Sequence, residues 1–84
     1  MARAIIRLSL ESGDASIRTR NRVRNVLSDR GFSVGRPGAG TGSYEREGAD
    51  VGDLVEALRE MLEILDLPDA ADVDHLWVYL GEPL

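Results

Sequence analysis

An α+β fold, with a four-stranded antiparallel sheet and two helices on one face, is predicted here by three observations. Apolar residues alternate with period two near both ends of the chain, over residues 4–10 and 75–80. An apolar repeat of helical period runs without a fault over residues 51–65. An arginine-rich helical stretch and two short extended runs around a Pro/Gly cluster fill the space between. The order is strand, helix, strand, strand, helix, strand, and 84 residues leave room for one such domain spanning 1–84.

The first strand reads Ala4-Ile5-Ile6-Arg7-Leu8-Ser9-Leu10. Ala4, Ile6, Leu8 and Leu10 fall on one face and Arg3, Ile5, Arg7 and Ser9 on the other, as a half-buried strand requires. Ser12 and Asp14 carry N-cap chemistry for a helix from Ala15 to Arg30, and Gly31 can close it in the left-handed conformation. The inward stripe of that helix is Thr19, Val23, Val26 and Leu27, with Arg18 and Arg22 on one flank and Arg20 and Arg24 on the other. Residues 32–36 and 41–46 form a hairpin about Pro37-Gly38-Ala39-Gly40.

Asp50 opens the second helix, with Asp53 in the favourable first turn, and Val51, Leu54, Val55, Leu58, Met61, Leu62 and Leu65 make its apolar stripe. Leu67-Pro68 ends it, and residues 69–74 are an acidic connector. In the last strand Leu76, Val78 and Leu80 face the core, while His75, Trp77 and Tyr79 face away. Assembled, this is the ferredoxin-like βαββαβ unit, and right-handed crossovers put the first and third strands at its centre.

Charge divides unevenly along the chain. Residues 1–36 hold eight arginines against Glu11, Asp14 and Asp29, a balance of +5, while residues 37–84 hold Arg46 and Arg59 against twelve acids, a balance of -10. The acidic total disfavours non-specific nucleic-acid binding, although Arg18, Arg20, Arg22 and Arg24 could contact phosphate locally. The chain has no cysteine and no apolar run near the roughly eighteen residues of a membrane span. Arginines interrupt the first residues too early for a secretory leader, so the expected location is the cytoplasm. The only histidine, His75, lacks the partners for a triad or a zinc site. The stretch from Gly35 to Ser43 lacks the lysine of a phosphate-binding loop and leads into a strand, so it reads as a hairpin.

With both helices on one face, the other face must meet water or a partner. Ile5, Trp77 and Tyr79 on that face are more apolar surface than a small monomer leaves wet. A second copy packed sheet to sheet would cover them and enlarge a thin core. Single-stranded nucleic acid stacking on the rings is the alternative covering.

The segments Ser28-Asp29-Arg30-Gly31-Phe32 and Gly42-Ser43-Tyr44-Glu45, set between the first strand and the second helix, make residues 4–65 similar to two related groups. These are the small ribonuclease-fold proteins of CRISPR spacer acquisition and the virulence-associated protein D toxins. The resemblance implies a ferredoxin-like homodimer and, for active members, metal-assisted cleavage of RNA or DNA at the dimer cleft. Their catalytic aspartate stands at the end of the first strand, where this chain reads Leu8-Ser9-Leu10-Glu11. Leu10 cannot hold a metal ion, and Glu11 would reach one only with a longer, looser arm.

The sequence therefore leads to a small homodimeric binding or assembly module, non-catalytic and without a metal or cofactor. Its interface residues are Ile5, Trp77 and Tyr79, and nucleic acid or another protein is a further candidate partner. The competing expectation is a Mg2+-dependent nuclease of the toxin or CRISPR-associated type, using Glu11 or Asp14 with Ser43 and the helix arginines.

Overall fold

The structure is a computed structural model and describes residues 2–35 and 41–82. Its elements run β1 (Ala2–Leu10), α1 (Asp14–Asp29), β2 (Ser33–Val34), β3 (Thr41–Ala49), α2 (Val51–Leu65) and β4 (Val73–Gly81). The sheet is antiparallel with order β2-β3-β1-β4, so the first and third strands are central as the crossover rule requires. This is the ferredoxin-like α+β arrangement. The hairpin turn expected at Pro37-Gly38-Ala39-Gly40, and Arg36 before it, lie outside the described residues.

The register fixes which side chains share a face. Ile6 sits opposite Tyr44 and Val78, and Leu8 opposite Gly42 and Leu76, so all of these look toward the helices. Ala4, Ile6, Leu8 and Leu10 of β1 are buried there with Tyr44, Val23 and Leu27 of α1, and Leu54, Ala57 and Met61 of α2. Val26, expected in the α1 stripe, is only half-buried; Ser16 takes a buried place beside Thr19, Val23 and Leu27.

Both helix ends of the hairpin connection are built by local chemistry. At the end of α1 the Phe32 N–H donates to the Leu27 carbonyl at 2.9 Å and the Gly31 N–H to the Ser28 carbonyl at 3.0 Å. Gly31 takes φ 85°, and Phe32 folds back beside Leu27 in the core. At the start of α2, Asp50 and Asp53 exchange backbone-to-carboxylate bonds of 2.8 and 3.1 Å, a reciprocal capping box. The start of α1 departs from expectation: Gly13 occupies the N-cap with no side-chain cap, and neither Ser12 nor Asp14 fills that role. Ser16 instead donates to the Gly13 carbonyl at 2.8 Å.

Thr19 explains how the chain returns to the sheet after α2. Its hydroxyl, fully buried on α1, accepts a 2.9 Å bond from the Ala71 N–H and so pins the connector just before β4. The Glu11 N–H donates to Asp72 at 2.9 Å beside it.

The inner face of β4 is where the packing falls short of expectation. Leu80 packs against the core edge, but Leu76 and Val78 remain 37% and 36% exposed. On α2 the stripe is likewise half-used: Val55 and Leu62 are 54% and 49% exposed, and Val51 is also open. The reason is lateral placement. Arg30, the C-cap of α1, pairs with Glu56 and Glu60, so that side of α2 faces α1. At 100° per residue Val51, Val55 and Leu62 lie on the opposite flank, and because α1 packs on β2 and β3, that flank looks toward the β4 edge. Among the described residues no helix is long and apolar enough to cross a membrane.

Candidate functional site

The open face of the sheet is assembled by cross-strand pairing. Arg7 lies opposite Trp77 and Ser43, Ile5 opposite Tyr79 and Glu45, and Ser9 opposite His75. Trp77 and Tyr79, two residues apart on β4, stack with ring centroids 6.0 Å apart and an interplanar angle of 10°. The Arg7 guanidinium lies over the indole, 5.0 Å from its centroid, which joins two central-strand and edge-strand side chains by a cation–π contact. A Cβ at Gly81 would collide with the Tyr79 hydroxyl, so the glycine leaves the ring room to lie along the strand.

These side chains roof one another. Ile5 retains only 8% of its surface, so of the three expected interface residues it has little left to offer, whereas Trp77 remains 44% exposed. Arg3 is held by Glu45 at 2.6 Å, and that hydrogen-bonded carboxylate raises the guanidinium above its ordinary pKa. Its Nε is buried without a partner among the described residues. Ser9 donates to Asp74 at 3.3 Å, and the same carboxylate lies 3.3 Å from His75 Nδ1. The face is therefore an aromatic platform with one cation, Arg7, laid on its indole and matched charges around it.

At the margin of this platform β4 is an edge strand nine residues long, with Val73, Leu76, Trp77 and Val78 all open on one face or the other. Beside it runs the apolar flank of α2, a shallow groove lined by Val55, Leu58, Arg59 and Leu62. A single-residue shift in strand phase would have turned the rings inward. The period-two reading had the phase right, but alternation could not show that the helices stop short of the edge.

The four helix arginines separate into two pairs. Arg18 and Arg22 both meet Asp69 of the connector, Arg22 at 3.2 Å, and the Arg22 hydrogen bond holds that carboxyl below its ordinary pKa. Arg20 and Arg24 make no ion pair or hydrogen bond among the described residues. They border a hollow of about 210 Å³ between α1 and the start of β3, floored by Tyr44.

Glu11, Asp14 and Ser43 are not brought together. Ser43 stands on the open face opposite Arg7, and Glu11 lies four residues farther along, roughly 13 Å at strand rise. Glu11 and Asp14 share instead the small hollow at the start of α1, where Asp72 adds a third carboxylate. Among the described residues, no three acid or histidine side chains converge as metal ligands.

No family model matches the chain, and no curated protein does. Among solved structures it is similar to an acylphosphatase from Bacillus subtilis, at 18% identity and a TM-score of 0.56, covering 100% of this chain and 89% of that one. It is also similar to protein Atu4242 from Agrobacterium tumefaciens, at 13% identity and a TM-score of 0.56, covering 100% and 94%. At these identities the likeness is one of fold.

Proposed function

We propose that this protein is an assembly module whose working unit is a homodimer, with β4 of one copy set antiparallel to β4 of the other. One observation carries the reading: β4 is a nine-residue edge strand whose Leu76-Trp77-Val78 stretch is apolar and exposed on both faces. An edge of this kind presents unpaired backbone donors and acceptors, and natural monomers blunt such edges with charge, proline or brevity. Across Leu76-Trp77-Val78-Tyr79-Leu80 none of those devices is present. A twofold axis beside β4 makes the contact self-complementary and joins two sheets into one. Leu76, Trp77 and Val78 of β4 and Val55 and Leu62 of the α2 flank each stay more than one-third exposed, and apolar surface gathered in this way is what a partner covers.

This reading moves the interface from the middle of the open face to its margin. Trp77 and Tyr79 keep their place in it, while Ile5 supports them from beneath. Sedimentation equilibrium tests it. The wild-type chain is expected at twice its 9.2 kDa mass at micromolar concentration, and Leu76→Lys with Val78→Lys at the single mass with an unchanged circular dichroism spectrum. A wild-type chain that sediments as a monomer overturns the proposal.

The acylphosphatase likeness does not redirect the reading to phosphate chemistry at the start of α1. A helix N-terminus attracts anions, but here Glu11, Asp14 and Asp72 ring it with negative charge. For single-stranded nucleic acid the aromatic pair is the favourable feature, and the Arg7 contact on the indole is the obstacle, since a base would have to displace it. Titration of Trp77 fluorescence with short RNA and DNA oligonucleotides is expected to show no saturable, salt-sensitive quenching. Incubation of labelled RNA and DNA with Mg2+ is expected to give no cleavage above a Glu11→Ala, Asp14→Ala control.

A further inference from the structure

Six of the nine arginines among the described residues are paired with acids. Arg3, Arg18, Arg22, Arg30, Arg46 and Arg59 each have a carboxylate within 4 Å, and Arg7 lies on Trp77. Arg20 and Arg24 are the exceptions among the described residues, in a chain with fifteen acidic side chains from which to draw partners. They stand four residues apart on α1, one above the other, where like charges repel unless something negative sits between them. Ile17, Arg20, Asn21 and Arg24 follow i, i+3, i+4 and i+7 spacing, so a single face of α1 forms one wall of the hollow.

The opposite side of the hollow is prepared from the sheet. Tyr44 is buried on the inner face of β3, and a Cβ at Gly42 would stand 2.8 Å from its hydroxyl, so the glycine keeps that oxygen unobstructed. The hydroxyl makes no hydrogen bond among the described residues, and both guanidiniums are near enough to act on it electrostatically. Ile17 and Val34, 66% and 45% exposed, supply apolar contact beside the polar end.

We propose that this hollow binds a phosphate monoester carried on a small apolar body, with Arg20 and Arg24 taking the phosphate, the Tyr44 hydroxyl and Asn21 amide completing its hydrogen bonds, and Ile17 and Val34 covering the body. Two guanidiniums balance the charge of a monoester near neutral pH, and their planar forks suit its oxygens. A volume of about 210 Å³ matches a ring-sized group. The site lies at the β2 side of the sheet, opposite β4, so it stands or falls independently of the dimer.

Phenyl phosphate is the probe, with inorganic phosphate and benzoate as comparison arms, followed by amide chemical shifts of the isotope-labelled full chain. Saturable shifts are expected around Arg20, Arg24 and Tyr44, with phenyl phosphate binding about tenfold more tightly than either comparison ligand. Arg20→Gln with Arg24→Gln is expected to weaken binding by at least about tenfold. The matched pair Arg18→Gln with Arg22→Gln, which removes the same charge from the neighbouring flank, is expected to change it by less than about twofold. No saturable shift, equal loss in both double variants, or benzoate binding as tightly as phenyl phosphate would each overturn the assignment.

Discussion

The two edges of the sheet solve the same problem in opposite ways. Among the described residues β2 spans only Ser33 and Val34, so it offers little free backbone there, and α1 packs beside it. β4 is nine residues long, and although Leu80 packs on the core, its Leu76-Trp77-Val78 stretch is apolar and left exposed on both faces. A strand edge can be made safe by shortening it or by covering it, and only the first edge has been treated that way within the chain. What remains at the second is surface of the kind that a partner covers.

The sharpest way to break this contrast is to place a charge on each edge. Leu76→Lys with Val78→Lys is expected to weaken self-association by at least about 100-fold, because a paired β4 would bury both ammonium groups without partners. Val34→Lys on β2 is expected to leave the sedimenting mass unchanged. Equal dissociation by the two changes would mean that the edges are equivalent and the contrast is only apparent.

Next in size are two changes at the points where the chain enters each edge. Thr19→Val removes the acceptor for the buried Ala71 N–H, which then loses its only bond in the connector leading to β4. A loss of about 1–3 kcal/mol is expected in urea unfolding. Gly31→Ala forces a side chain into the left-handed turn that delivers the chain to β2, and it is expected to cost roughly 1 kcal/mol. A larger loss at Gly31 than at Thr19 would place the greater structural demand on the short edge.

Much of this architecture was legible because it is local. The Asp50 and Asp53 capping box, the Gly31 stop and the alternation of Ala4, Ile6, Leu8 and Leu10 each depend on residues a few positions apart. The phase of β4 was legible too, and with it the outward rings. What could not be read is lateral: how far α2 sits from the β4 edge is set by the whole layer, and no nearby residue encodes it. The arginines show the same limit. Arg18, Arg20, Arg22 and Arg24 look alike on the helix, and only the arrival of Asp69 from a connector about fifty positions away makes one pair structural and leaves the other open. Tyr44 gave a usable signal, since Gly42 two residues earlier on the same strand face allows its hydroxyl to reach past.

The smallest expected difference between the two sides is electrostatic. Glu60, hydrogen-bonded to Arg30, joins the helices near the β2 side, and Asp69, hydrogen-bonded to Arg22, holds the connector leading to β4; both carboxyls titrate below their ordinary values for that reason. A carboxyl with a depressed folded pKa contributes stability that is present above its unfolded value, near pH 4, and is lost as pH falls through the folded value. Both pairs are solvent-exposed, so each contribution is small and screened by salt. Glu60→Gln and Asp69→Asn should therefore each flatten the acid limb of a stability profile slightly and leave stability at pH 7 nearly unchanged. Because Asp69 bridges two arginines and also fixes the approach to β4, its change should additionally speed hydrogen exchange at Ala71, and Glu60→Gln should not. Equal exchange rates at Ala71 in the two variants would show that Thr19 alone secures that strand entrance.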